Sequence, residues 1–239
     1  MNHKEYLEEK LNKLPLPVKV NEKQLEQFLQ FYEMLVEKNK VMNLTGITEF
    51  ADVVEKHFMD SLAFVPEQTE GKKLIDVGTG AGFPGIPLKI LYPELQITLM
   101  DSLKKRLNFL DEVIAALGLE KVETLHGRAE DLGHQAVYRE QYDYCVSRAV
   151  ANLTTLSEYC LPFVKVGGVF ASYKSGSVEE EQKDAEHGIQ ILSGKIEKVD
   201  KFQIVDTDLD RSLVWIRKEG KLKGKYPRKA GTPSREPLH

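Results

Sequence analysis

The run Leu74-Ile-Asp-Val-Gly-Thr-Gly-Ala-Gly-Phe-Pro-Gly85 restricts the folds open to this chain more than any other. A short apolar run ends at Val77, glycines recur at Gly78, Gly80, Gly82 and Gly85, and Ile86, Leu88, Ile90 and Leu91 follow as a helical face. That order reads as a strand, a tight turn and a helix start. Such a corner aims backbone N–H groups and a helix N-terminus at a nucleotide-like ligand. The alternating glycines supply positive φ and room for close backbone approach. Asp76 adds a carboxylate at the mouth of the turn, which repels a pyrophosphate and suits a cationic amino-acid group.

The same letters hold a dinucleotide fingerprint, Gly80-Ala-Gly82-Phe-Pro-Gly85. Two features count against a nicotinamide reading. Its first glycine falls three residues past the strand end. Pro84 sits where the helix should already be running, a position tolerable only in a first turn. Asp101, after the strand-like run Gln96–Met100, suits a ribose-hydroxyl acceptor in either register.

From Lys72 onward strands and helices alternate, the pattern of a parallel sheet covered by helices. The expected strands are Lys73–Val77, Gln96–Met100, Val122–His126, Tyr142–Ser147 and Val169–Lys174, with helices over Pro84–Leu91, Leu103–Leu117 and Leu153–Val164. Glu179 to Leu192 reads as an acidic, solvent-facing helix. Val199–Val205 and Leu213–Ile216 read as a closing antiparallel hairpin. Upstream, apolar spacing predicts helices from Glu22 to Lys38 and from Glu49 to Val65. The domain expectation is therefore a helical extension over residues 1–70, an α/β domain over 71–220 and a basic segment over 221–239.

The net charge of −4 hides an asymmetry: from Arg217 to His239 eight Lys or Arg face only Glu219 and Glu236. Such a patch is the footprint of a polyanion partner, with a solvated terminus as the bland alternative. Lys104, Lys105 and Arg106 open a helix against its dipole, a weaker hint of the same kind. Neither a signal core nor an apolar run of membrane-spanning length is present, so a cytoplasmic protein without membrane contact is expected. Cys145 and Cys160 lack metal-ligand spacing and read as buried free thiols. The six histidines also lack such spacing, so no metal is expected; His57 reads as structural or as a polar cap, with a pocket role open.

Ligands of open α/β sheets sit outside the carboxyl ends of the strands. That rule gathers Gly78–Gly82, Asp101 and Ser102, Gly127–Glu130, and Ser147 and Arg148 into one candidate site. Arg128-Ala-Glu130 would meet an adenine edge, or equally would be an acidic helix start. Arg148 would hold a phosphate or a substrate carbonyl.

Asp76-x-Gly78-x-Gly80-x-Gly82 with Asp101 resembles the cofactor signature of class I S-adenosylmethionine-dependent methyltransferases. Asn43-Leu-Thr-Gly-Ile47, Lys56-His-Phe-Met-Asp-Ser-Leu62, Phe83-Pro-Gly-Ile-Pro87, Asp101-Ser-Leu-Lys-Lys-Arg106, Ser147-Arg-Ala-Val150 and Tyr226-Pro-Arg-Lys-Ala-Gly-Thr-Pro-Ser234 sharpen it. Together they resemble the RsmG (glucose-inhibited division protein B) family, bacterial methyltransferases that form 7-methylguanosine in 16S ribosomal RNA. The likeness runs from about Asn21 to Leu238.

The resemblance implies a Rossmann-like class I methyltransferase fold with S-adenosyl-L-methionine as cofactor. It implies that Asp76, Gly78, Gly80, Gly82 and Phe83 lie along the methionine part, Asp101 and Ser102 by the ribose, and Ala129 and Glu130 by the adenine. Arg148 is then both a cofactor contact and the catalytic candidate, and Arg128, Lys165, Arg228 and Lys229 face RNA. The implied partner is 16S ribosomal RNA or the small subunit, met by a monomer. Guanine N7 carries a lone pair and no proton, so transfer to it needs positioning and no general base. An oxidoreductase using the other glycine register and a non-catalytic RNA-binding factor stay open at this stage.

Overall fold

Side chains of alternate strand residues point to opposite faces, and the apolar ones here sort cleanly into two cores. The computed structural model describes residues 2–148 and 150–238; Met1, His239 and Ala149, the last from the Ser147–Val150 segment, lie outside the described residues. β1 (Lys73–Val77), β2 (Gln96–Asp101), β3 (Val122–His126), β4 (Tyr142–Arg148) and β5 (Val164–Ser175) run parallel. β7 (Asp210–Lys218) runs antiparallel to both β5 and β6 (Gly194–Gln203). The sheet order is β3-β2-β1-β4-β5-β7-β6, so the chain reverses direction of travel between β1 and β4. That is the switch point at which an open sheet leaves a crevice.

Leu74, Tyr144, Ala171, Leu213 and Trp215 face one core; their neighbours Ile75, Cys145, Phe170, Val214 and Ile216 face the other. The first core is covered by α1 (His3–Asn12), α2 (Glu22–Met42), α3 (Phe50–Val53) with a π-helix continuing it (Val54–Met59), α4 (Gly85–Leu91) and α5 (Lys104–Leu117). α2 contributes Phe28, Phe31 and Leu35, none of them exposed, each worth roughly 1.5–3 kcal/mol of burial. Phe31, Phe58 and Phe83 pack ring to ring, so the N-terminal helices and the glycine turn share one core. α4 is buried on all sides, its one charged residue, Lys89, donating to the carbonyls of Pro93 and Leu95.

The second core is closed by α6 (Ala129–Leu132), α7 (Leu153–Cys160), α8 (Glu179–Ile191) and the C-terminal segment, which inserts Leu222 and Tyr226 and ends in α9 (Thr232–Arg235). Cys145 and Cys160 are buried there as free thiols.

Several elements differ from the sequence expectation for identifiable reasons. The polar N-terminus forms α1 because Leu7 and Leu11, one helical turn apart, bury against the first core and Asn2 with Glu5 makes a capping box. α2 runs on to Met42, where Asn43 ends it at φ +48. The second helix is short and passes into a π-helix. α7 stops at Cys160, two residues before Pro162, and β5 begins at Val164. β6 starts five residues earlier than its apolar run and ends at Gln203, because one of its faces is solvated.

Candidate active site

The glycine turn leaves β1 at its carboxyl end with Gly78, Gly80 and Gly82 at φ +74, +61 and +98. A Cβ on Gly82 would lie 2.7 Å from Ile86 Cγ1, whereas one on Gly80 would meet no side chain within 4 Å. Gly82 is therefore a packing glycine. Gly80 instead faces open space, and that space is a cavity of about 620 Å³. The size suits a nucleoside-like ligand.

The cavity gathers residues from four strand ends: Gly78–Ala81, Asp101 and Ser102, Gly127–Glu130, and Arg148. Phe83, His57, Thr45, Arg106 and Tyr159 complete its walls. Thus Gly78, Gly80, Phe83, Asp101, Ser102, Arg128, Ala129, Glu130 and Arg148 come together as the sequence suggested. Ser147 Oγ donates to Val77 O at 2.7 Å and ties β4 to β1 at the switch point.

Asp101 organises the floor. Its Oδ2 accepts from Gly80 N at 3.0 Å and from Arg106 Nη1 at 3.3 Å, and its Oδ1 accepts from Leu103 N at 2.8 Å. A carboxylate accepts about four hydrogen bonds, so one further acceptance is left for a hydroxyl. Asp101 thereby neutralises one of the three cations at the start of α5, while Lys104 and Lys105 stay in solvent.

Asp76 sits elsewhere. Its alternation with Leu74 turns it away from the cavity and toward α4, where Oδ2 accepts from Gly85 N at 2.8 Å. Neither Asp76 Oδ1 nor Thr79 Oγ1 finds a hydrogen-bond partner. Burial pushes the Asp76 carboxyl up to about 7, against the opposing pull of the Gly85 N–H. The carboxylate read as ligand-facing instead secures the start of α4.

Arg148 is held by four groups. Nη1 donates to Asp60 Oδ2 at 2.8 Å and to Lys56 O at 3.3 Å, Nη2 lies 3.3 Å from His57 Nδ1, and Cζ stands 5.2 Å from the centre of the Phe83 ring. His57 stacks on Phe83 and lies 2.9 Å from Thr45 Oγ1 through Nε2. Burial, then the Arg148 charge, lowers the His57 pKa to about 4, so the ring is neutral at pH 7. Nε2–H then donates to Thr45 and Nδ1 accepts from Arg148. A second cavity, of about 520 Å³, opens on the far side of Arg148 and His57, lined also by Asp60, Lys174, Glu181 and Arg211.

The basic candidates separate. Arg128 stands at the cavity rim as the N-cap of α6. Lys165 belongs to the other end of the molecule: at the start of β5 it pairs with Asp143, five residues and roughly 17 Å upstream of Arg148 along β4. Arg228 is turned inward, with Nε and Nη2 clasping both oxygens of Glu158, a carboxylate only 1% exposed. Lys229 is exposed. The segment is further pinned by Arg139, which donates to the carbonyls of Leu222 and Tyr226, and by Gly231 N–H on Glu130 Oε1 at 2.9 Å. A charge count gives no direction, and the buried Glu158 claims the first arginine of the pair.

Residue-level reasoning did not assign Thr45, Asp60, Arg106 or Tyr159 to the site. Their only signal was membership in the Asn43–Ile47, Lys56–Leu62 and Asp101–Arg106 motifs; Tyr159 carried none.

Solved methyltransferases share this architecture. A 16S rRNA (adenine-N1)-methyltransferase from Catenulisporales acidiphilia superimposes with a TM-score of 0.52 at 14% identity, over 65% of this chain and 88% of that one. A precorrin-6y methyltransferase from Geobacter metallireducens gives 0.50 at 13% identity, over 75% and 92%. These likenesses establish the fold, an open sheet with a crevice at its switch point. Sequence comparison narrows this. The profile of the family described as rRNA small subunit methyltransferase G matches residues 24–213. Proteins named ribosomal RNA small subunit methyltransferase G are 49% identical over 93% of both chains in Lachnoclostridium phytofermentans, and 50% identical over 91% and 92% in Clostridium botulinum. The chain belongs to the rRNA small subunit methyltransferase G (GidB) family.

Proposed function

We propose that this protein transfers the methyl group of S-adenosylmethionine to N7 of a guanine in small-subunit ribosomal RNA. The observation that supports it best is the pair of cavities meeting at Arg148 and His57, the first floored by Asp101 and the glycine turn. The cofactor, when bound, supplies a sulfonium methyl. The residues present fit it: Gly80 has no Cβ to fill the cradle, Asp101 retains acceptor capacity for a ribose, and Ala129, Glu130 and Tyr159 wall the adenine side.

In this reading the chain binds, orients and excludes water. Arg148 lines both cavities and keeps two of its five N–H groups for a ligand, so it can hold the guanine O6 beside the reacting N7. His57 has both ring nitrogens engaged and takes no proton, in keeping with a nucleophile that needs none removed. RNA phosphates fall to the exposed Lys221, Lys223, Lys225 and Lys229 with Arg128, while Arg228 serves indirectly by holding the segment down. Among the described residues no helix is long and apolar enough to cross a membrane. A cytoplasmic monomer acting on the small subunit is the corresponding setting.

The test is direct. Small subunits from a strain lacking the gene are incubated with the protein and radiolabelled S-adenosylmethionine, and the 16S rRNA is mapped by mass. One new 7-methylguanosine is expected; methyl transfer to another base, or none, refutes the assignment.

A further inference from the structure

Asp60 does not line the first cavity, yet it lines the second and touches the Arg148 that both share. It follows the π-helix directly, is 5% exposed, and spends both carboxylate oxygens on arginines: Oδ2 on Arg148 Nη1 at 2.8 Å and Oδ1 on Arg211 Nε at 3.3 Å. Arg148 comes from the end of β4 and Arg211 from the start of β7, so one carboxylate fastens guanidinium groups from two different strands. The π-helical turn ends here. Asp60 N–H donates to His57 O, and the Lys56 carbonyl accepts from Arg148 Nη1. Such turns recur at functional sites. Tyr173, the register partner of Arg148, donates to the Ser61 carbonyl at 2.7 Å and fixes the same helix end from below.

We propose that Asp60 is a positioning residue for methyl transfer: it fixes the plane of Arg148 so that the two N–H groups left over meet the target base in one geometry. This rests on the methyltransferase reading above. A guanidinium held through Nη1 by a carboxylate and through Nη2 by a ring nitrogen cannot rotate without breaking a charge-assisted hydrogen bond. Released, Arg148 would still bind ligand but would sample many orientations, and misplacement of about 1 Å at a reacting centre is worth on the order of a hundredfold in rate. The effect should therefore fall on kcat more than on cofactor affinity.

Asp60→Asn keeps the shape and removes the charge; Asp60→Glu keeps the charge on a longer arm. On unmethylated small subunits, Asp60→Asn is expected to lower kcat roughly ten- to a hundredfold. Calorimetric affinity for S-adenosylmethionine should stay within about threefold. Asp60→Glu should recover part of the rate. The double variant Asp60→Asn/Arg148→Ala should be no slower than Arg148→Ala alone, because residues acting through one another are not additive. Nitrogen-15 spectra of the arginine side chains give a readout independent of activity: the Arg148 Nη resonances, resolved in the wild type, should merge through fast rotation in Asp60→Asn. Unchanged kcat, unchanged Arg148 resonances, or losses that add in full with Arg148→Ala overturn the inference. A wild type that methylates no subunit while its Arg148 resonances behave as stated would refute the methyltransferase reading and leave the positioning geometry intact.

Discussion

The glycine turn and the basic C-terminal segment are both rich in motif residues, and they use them in opposite ways. In the turn the cavity-facing groups are mainly backbone, held open by positive φ at Gly78 and Gly80. In the C-terminal segment the most conspicuous side chain, Arg228, faces inward to a buried carboxylate, while the neighbouring lysines reach solvent. A site built from backbone is legible from residue type alone. One built from side chains depends on what the rest of the fold offers them.

The strongest way to break that contrast is Arg228→Ala. It strands Glu158 without its partner, and removing one member of a buried pair costs roughly 3–5 kcal/mol. Thermal unfolding should drop by about 6–20 °C. A melting temperature within 2 °C of wild type would mean that the arginine is free for RNA after all.

Next comes Asp76→Asn. The folded carboxyl holds its proton up to about 7, while the unfolded one releases it near 3.8, so the native state binds more protons between these values. Stability is therefore highest below about 4, falls as pH rises toward 7, and is fully reduced above it, by at most about 4 kcal/mol. The amide variant should melt higher than wild type at pH 8 and no higher at pH 4. A pH-independent difference would contradict this account.

Gly80→Val should cost about 1–2 kcal/mol of stability, because a branched residue is forced to φ +61. Its added atoms would also enter the cavity and abolish calorimetric binding of S-adenosylmethionine. Retained affinity would remove the turn from the site. Smallest in stability is Lys229→Glu, within about 0.5 kcal/mol. Its expected signature is a shallower salt dependence of RNA binding, by roughly 0.7 in slope for one lost phosphate contact. An unchanged slope would return the segment to architecture.

The same contrast explains what could be read beforehand. Period-two and helical patterns gave every parallel strand, and the carboxyl-end rule assembled the cavity from four separate segments. The alternation of Leu74 and Asp76 on one strand face already contained the correction for Asp76, since α4 covers that face. Lys165 and Arg228 were not legible: the first depends on β5 beginning at Val164, five residues before the expected Val169; the second depends on Glu158, seventy residues distant. The π-helix was hidden as well, because apolar spacing over Val53, Val54 and Phe58 fits an α-helix equally.

Glu158 lies seventy residues ahead of the arginine that neutralises it, and a chain is made from its amino end. Until residue 228 has emerged, α7 must carry an uncompensated carboxylate against the second core, and Glu130, on the cavity wall, lacks the Gly231 amide. A nascent chain interrupted before that point holds the whole sheet and the glycine turn and yet an unfinished pocket. Closure of this cavity is thus tied to residues far downstream of the strands that form it.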